Sequence, residues 1–172
     1  FDRLIFEAGQ GLALDEENLQ DFPHLTPSRT TSLVSARRIA ALDGPTDTQV
    51  LYVTRSYLTR HGAGPFPTEC AMETIRPGMV DRTNMPNPHQ QTLRYGRFGA
   101  QRVLERVSRD RNATRAVVRD ASFAVMITHL NETDGQLACS MSLQDFSRSF
   151  DSVYLSDCPW QAHSVQTCEA PS

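Results

Sequence analysis

The stretch Ser122 to Leu130 constrains this chain most. Phe123, Val125 and Ile127 alternate inside a nearly continuous apolar run, and a strand apolar at successive positions is buried on both faces, as in the sheets of α/β proteins. Other segments fit the same architecture. Leu4-Ile5-Phe6 reads as a buried strand feeding the loop Glu7-Ala8-Gly9-Gln10-Gly11, Val50 to Val53 as a second strand, and Val153-Tyr154-Leu155 as a last short one. Leu33, Ala36 and Ala40 mark a helix capped by Thr or Ser and stopped by Asp43-Gly44-Pro45. Ala100, Val103, Leu104 and Val107 mark an amphipathic helix over 98–108, its arginines facing water. Strands alternating with helices, each strand ending in small and polar residues, predict an α/β fold that binds ligands outside the carboxyl ends of its strands.

Charge and composition exclude several partners. The longest near-apolar stretch, Ala121 to Ile127, is far shorter than the ~20 residues of a membrane span, so no membrane partner is expected. Seventeen basic against twenty acidic side chains leave a net charge of -3, which provides no basic field for nucleic acid. Every basic residue is Arg, which excludes a GxxxxGK[ST] phosphate loop and a Schiff-base lysine within this chain. The four cysteines form no CxxC pair; structural zinc is not expected, no metal site is assigned, and free thiols suit the cytoplasm. The chain opens at Phe1 without an initiator Met or a signal segment, and reads as a C-terminal piece of a longer protein.

Four loops have the composition of ligand sites: Glu7 to Gly11, Pro23 to Thr31, His61 to Glu69, and Pro86 to Gly96. A glycine turn alone is usually only a turn, and a Thr/Ser cluster before a helix usually only a cap. Four such loops in 172 residues weigh more than any one of them.

The residues of these loops carry a resemblance. Phe6-Glu7-Ala8-Gly9-Gln10-Gly11 with Leu14-Asp15, and Pro23-His24-Leu25-Thr26-Pro27-Ser28-Arg29-Thr30-Thr31, are similar to the FEGAQG and PYVTSSNTT segments of adenylosuccinate synthetases. Thr59-Arg60-His61-Gly62-Ala63-Gly64-Pro65-Phe66-Pro67-Thr68-Glu69 is closer still to that family's TRVGAGPFPTE. Thr128-His129-Leu130-Asn131 resembles its TKLD, and Ser156-Asp157-Cys158-Pro159 its SxGP. The resemblance implies the end of a central, mostly parallel sheet domain over 1–54 and a C-terminal α/β lobe over 55–172, with the catalytic histidine, general-base aspartate and phosphate loop lying upstream.

It also implies a reaction. A nucleoside triphosphate phosphorylates the 6-oxo group of a purine monophosphate, and the amino group of aspartate displaces that phosphate. Gln10 would act at the purine 6-position, and Gln10, Gly11 and Thr26 would bind the monophosphate, Thr26 through both hydroxyl and backbone N–H. Gln91, Thr92 and Arg94 would bind aspartate, although the family's TTGRRRR is replaced here by His89-Gln90-Gln91-Thr92-Leu93-Arg94. Arg94, Thr128, His129, Asn131, Ser156 and Cys158 would bind the donor nucleotide, GTP or ATP, with Mg2+ held by upstream residues. His61 and His89 would orient substrate or structure rather than move protons. The family implies a homodimer.

Two departures point to a branch. Asn131 stands where TKLD has the carboxylate that selects guanine, and few residues separate it from Ser156. With Met85-Pro86-Asn87-Pro88-His89-Gln90, these features resemble compact phage-type relatives that use dGMP in place of IMP and accept an adenine nucleotide as donor. The other readings are a noncatalytic purine-nucleotide-binding remnant, which keeps nucleotide affinity without phosphoryl transfer, and a plain α/β structural domain, which has none.

Overall fold

The computed structural model describes residues 3–42, 47–78, 92–158 and 161–165. The chain divides into two compact units, Phe1–Val50 with Arg102–Ser122, and Leu51–Gln101 with Phe123–Ser172. Residues 102–122 thus group with 1–50, an association between segments fifty residues apart that no local pattern announces.

In the first unit, 3-10 turns at Leu12–Leu14 and Leu19–Asp21 lead to helix α1, Leu33–Ile39. The expected Thr/Ser cap takes an unusual form. Ser32 does not cap its own helix; its backbone N–H donates to Asp110 Oδ1 at 3.0 Å, and its hydroxyl lies 2.6 Å from both Asp110 Oδ2 and Thr114 Oγ1. Asp110 and Thr114 belong to helix α3, Ala100–Arg115, and are 3% and 0% exposed. The acceptor for the first turn of α1 therefore comes from a neighbouring helix. α1 ends at Ile39, and the predicted Asp43-Gly44-Pro45 stop lies outside the described residues.

α3 starts two residues later than the periodicity predicts and runs seven further. Val107 is buried, as predicted. The arginines are not uniformly exposed: Arg106 is half-buried, and desolvation lowers its pKa against the opposing charge of Asp21. The predicted strand Leu4–Phe6 is absent. These residues have no regular secondary structure, with Ile5 86% exposed, because a strand exists only against a partner and no described segment pairs with this one.

The second unit is built on a four-stranded sheet of order β1-β4-β5-β6, comprising β1 (Gln49–Arg55), β4 (Ser122–Thr128), β5 (Ser152–Cys158) and β6 (Gln161–Val165). β1 and β4 run parallel, with the Ser122 N–H on the Thr48 carbonyl at one end and the Ser56 N–H on the Thr128 carbonyl at the other. β4 and β5 are parallel with Val125 opposite Val153, and β5 and β6 are antiparallel, so the fold is mixed α/β with a mostly parallel sheet. Phe123, Ala124, Val125 and Ile127 are each at most 1% exposed, which fits a strand with neighbours on both sides. Phe98, Phe146 and Phe150 form the aromatic core of this unit, Phe98 meeting Phe146 edge-on at 5.1 Å. Phe146 is carried by α4, Leu143–Ser147, whose N-cap Ser142 accepts the Asp145 N–H.

A second, two-stranded sheet pairs β2 (Leu58–Arg60) with β3 (Arg94–Gly96), with Leu58 opposite Gly96 and Arg60 opposite Arg94. The short helix α2, Met72–Ile75, lies between them in sequence.

Candidate functional site

In the first unit the structure joins two of the four loops. Asp15, 4% exposed, is the tie. Its Oδ2 accepts the Thr30 N–H at 2.6 Å and lies 3.4 Å from the Thr30 hydroxyl, its Oδ1 accepts the Glu17 N–H at 3.0 Å, and Arg29 Nε stands 3.5 Å away. Burial alone would raise the carboxyl pKa. The hydrogen bonds from the Thr30 and Glu17 backbone, with the Arg29 charge, outweigh burial and hold the group below the ordinary carboxylate range. Around this tie, the Thr26 N–H donates to the Leu14 carbonyl at 2.9 Å, the Glu16 N–H to the Ser28 carbonyl at 3.2 Å, and the Thr30 hydroxyl to the Gly11 carbonyl at 3.2 Å. Arg29 also pairs with Glu17.

Gln10, Gly11 and Thr26 are therefore brought together on one loop pair. Gln10 and Gly11 are exposed. A Cβ built on Gly9 or Gly11 meets nothing within 4 Å, so open space lies beside this backbone. The Thr26 hydroxyl faces the Ser28 hydroxyl at 3.3 Å. The backbone N–H of Thr26 donates to the Leu14 carbonyl.

In the second unit, the loop 61–69 is held by Arg94. Its Nε and NH2 form a fork on Glu69 at 2.8 and 2.5 Å, and its NH1 donates to the carbonyls of Gly62 and Gly64 at 3.0 and 2.9 Å. The guanidinium stands over the Phe66 ring, 5.6 Å from its centroid. The hydrogen bonds from Arg94 lower the Glu69 pKa. Gly62 and Gly64 have φ of 69° and 113°, conformations that favour glycine. Gly96 packs under the loop: a Cβ there would stand 2.6 Å from the Phe66 ring and 2.8 Å from the Thr68 carbonyl. Thr92 is exposed beside this frame, and Gln91 and His89 lie outside the described residues.

A third group gathers at the carboxyl ends of β4 and β5, where ligands bind in α/β sheets. The Thr128 hydroxyl donates to the Thr54 carbonyl at 3.1 Å and lies 2.9 Å from His129 Nδ1. His129 adopts a left-handed conformation, φ 62°, and opens the 3-10 turn Leu130–Glu132 that carries Asn131, whose side chain is exposed. On the adjacent strand the Ser156 hydroxyl donates to the Cys158 carbonyl at 2.8 Å, beside a register shift between Leu155 and Cys158. Thr128, His129, Asn131, Ser156 and Cys158 thus share one strand end, whereas the bonds of Arg94 run to loop 61–69. Pro159 lies outside the described residues.

Sequence reasoning missed the residues that hold these loops. In the sequence Asp15 stands out only within the resemblance, and Glu69, Tyr57, Arg76 and Glu132 carry no local sign of their role. No signal in the sequence marks Asp15 apart from its place between a glycine-bearing loop and a hydroxyl-rich one; its burial shows only in the fold, where an acid seldom goes unpaired. Among the described residues no group of three His, Cys, Asp or Glu converges to hold a metal ion.

The fold defines a mixed α/β protein with a mostly parallel sheet. Compared with known families, residues 2–117 match adenylosuccinate synthetase. Among curated proteins, an adenylosuccinate synthetase of Acidithiobacillus ferrooxidans is 41% identical over 73 residues, 42% of this chain and 16% of that protein. One from Coxiella burnetii is 43% identical over 70 residues, 41% of this chain and 16% of that protein. The chain belongs to the adenylosuccinate synthetase family. The matched part spans 16% of the length of these relatives.

Proposed function

We propose that these residues form part of a purine-nucleotide ligase that joins aspartate to the 6-position of a purine monophosphate, with hydrolysis of a nucleoside triphosphate. The observation that supports this reading is the loop pair tied by Asp15, in which Thr30 bonds Gly11 and Thr26 bonds Leu14, within the stretch matched to the family. Gln10 binds at the purine 6-oxygen: its uncharged amide serves an oxo group and, after phosphoryl transfer, the phosphoryl oxygens. The Thr26 hydroxyl grips the monophosphate. Thr92 and Gln91 take the aspartate, and a carboxylate reaching Arg94 would share its guanidinium with Glu69. Thr128, His129, Asn131, Ser156 and Cys158 receive the donor base.

Bound magnesium would neutralise charge on the transferring phosphoryl group. The family relationship also supports a homodimer with small-molecule substrates, working in the cytoplasm. The assignment of 1–54 to a central domain and 55–172 to a C-terminal lobe belongs to the same proposal, as does dGMP in place of IMP.

Kinetics of the natural full-length chain carrying these residues test the site. Gln10→Ala removes a contact that strengthens as charge develops, and is expected to lower kcat about 100-fold with little change in KM. Thr26→Ala removes a grip on a phosphate present throughout, and is expected to raise the monophosphate KM about tenfold with kcat nearly intact. Equal, negligible effects would remove the assignment.

The donor base gives a second test. Asn131 offers one carbonyl and one amino group, which pair with the N6–H and N1 of adenine, whereas a carboxylate accepts from the N1–H and N2–H of guanine. The enzyme is expected to use ATP or dATP at least as well as GTP. Asn131→Asp is expected to shift the ratio of kcat/KM toward GTP by about tenfold or more, the worth of charge-assisted hydrogen bonds. A strong GTP preference unchanged by the substitution would contradict this.

A further inference from the structure

Ser56 and Tyr57, 0% and 2% exposed, link β1 to β2, and both reach the loop that follows β4. The Ser56 N–H donates to the Thr128 carbonyl at 2.9 Å, its hydroxyl to the His129 carbonyl at 2.9 Å, and its carbonyl accepts the Ala138 N–H at 2.8 Å. The Tyr57 hydroxyl donates to Glu132 Oε2 at 2.5 Å, and its ring meets His129 edge-on at 5.9 Å. Arg76 holds the same turn through its NH1, which donates to the Asn131 carbonyl at 2.7 Å. The turn is entered through His129 at φ 62°, a conformation that persists in a non-glycine residue only where the surroundings hold it. Burial, then the hydrogen bond and charge of Glu132, push the Tyr57 phenol well above its ordinary pKa, so it remains a donor at any working pH.

We propose that Tyr57, acting through Glu132, is the positioning residue that keeps the Leu130–Glu132 turn in its base-receiving conformation. This rests on the reading of Thr128 to Asn131 as part of the donor-base site. Asn131 can read a base edge only if its amide is presented at a fixed height and angle, and Glu132 is its neighbour in the turn. Removing the phenol oxygen leaves the ring packing in place and frees Glu132, loosening the end of the turn beside Asn131. The cost of ordering it then falls on nucleotide binding.

The test is steady-state kinetics of the natural full-length chain with MgATP, MgGTP, monophosphate and aspartate varied in turn. Tyr57→Phe is expected to raise the triphosphate KM roughly tenfold, with kcat and the other two KM values within twofold. Glu132→Gln, which keeps an acceptor oxygen, is expected to raise the triphosphate KM less than threefold, and Glu132→Ala as much as Tyr57→Phe. The double variant Tyr57→Phe with Glu132→Ala is expected to be no worse than either single one, because the two residues act as a unit. An unchanged triphosphate KM in Tyr57→Phe, or KM values for all three substrates rising together, overturns the proposal. If Asn131→Ala alters triphosphate KM while Tyr57→Phe does not, the positioning role falls and the donor-base reading stands. If Asn131→Ala also leaves it unchanged, both fall.

Discussion

Asp15→Ala is expected to unfold the first unit's loop pair, with a loss of about 2 to 4 kcal/mol, the cost of leaving buried donors without their charged partner. Two groups lose their acceptor at once, the backbone N–H of Thr30 and the backbone N–H of Glu17, while the Thr30 hydroxyl keeps the Gly11 carbonyl. The Arg29 guanidinium loses a carboxylate at 3.5 Å. Asp15→Asn keeps a carbonyl for Thr30 but turns an amino group toward the Glu17 N–H, so it recovers only part of the loss. For a unit of this size the melting temperature should fall by roughly 10 to 20 °C, followed by circular dichroism. Monophosphate affinity should fall with it, since Thr26 keeps its place through the Leu14 carbonyl only while the loops stay together.

The pH dependence has a definite sign. The folded carboxyl pKa lies below its unfolded value. Its contribution is complete above the ordinary carboxylate range and is lost as pH falls through the depressed folded value. The wild-type protein should therefore lose this increment in acid, and Asp15→Ala should show a flatter acid limb. A variant that melts like the wild type and keeps the acid slope would mean that Asp15 does not tie the loops.

Gly96→Ala is the second large expected effect. The new methyl would stand 2.6 Å from a Phe66 ring carbon and 2.8 Å from the Thr68 carbonyl oxygen, and the second of these is backbone that cannot rotate away. Overpacking at such a point costs about 1 to 3 kcal/mol, and here it also displaces the ring beneath the Arg94 guanidinium. Denaturant unfolding should show the loss, and aspartate KM should rise in the full-length chain. Gly9→Ala and Gly11→Ala are the controls. Their methyl groups meet open space, so stability should change little while monophosphate binding falls if a ligand occupies that space. Equal stability of all three variants would contradict the described packing of loop 61–69.

What could be read in the sequence follows from the range of the forces involved. β4 was legible because its neighbours bury it on both sides, which leaves a continuous apolar run. The beginning of α3 was legible from its period, but its last turns carry arginines and polar residues and end where no breaker stands. Leu4–Phe6 was misread because an apolar run does not supply the partner that makes it a strand. β2 and β3 were missed: three-residue strands have too few positions to show a period, and their pairing joins residues more than thirty apart.

The same distinction holds at the site. The loops were legible because glycine, proline and hydroxyl residues declare themselves locally. The ties between them were not. Asp15 meets Thr30 across fifteen residues, Glu69 meets Arg94 across twenty-five, and Tyr57 meets Glu132 across seventy-five. Taken alone, each of these residues has the appearance of an ordinary polar, charged or core side chain.

On the proposed reading, phosphoryl transfer to the purine 6-oxygen precedes attack by aspartate. It is tested most directly by following that oxygen. The natural full-length chain would be incubated with IMP or dGMP labelled with heavy oxygen at the 6-oxo position, aspartate, and ATP or GTP with magnesium, and the released inorganic phosphate examined by mass spectrometry. One heavy oxygen is expected in each phosphate formed, matched mole for mole by an N6-succinyl purine monophosphate, with both formed about 100-fold more slowly in Gln10→Ala. Phosphate free of the label, or triphosphate hydrolysis with no succinylated product, would contradict it.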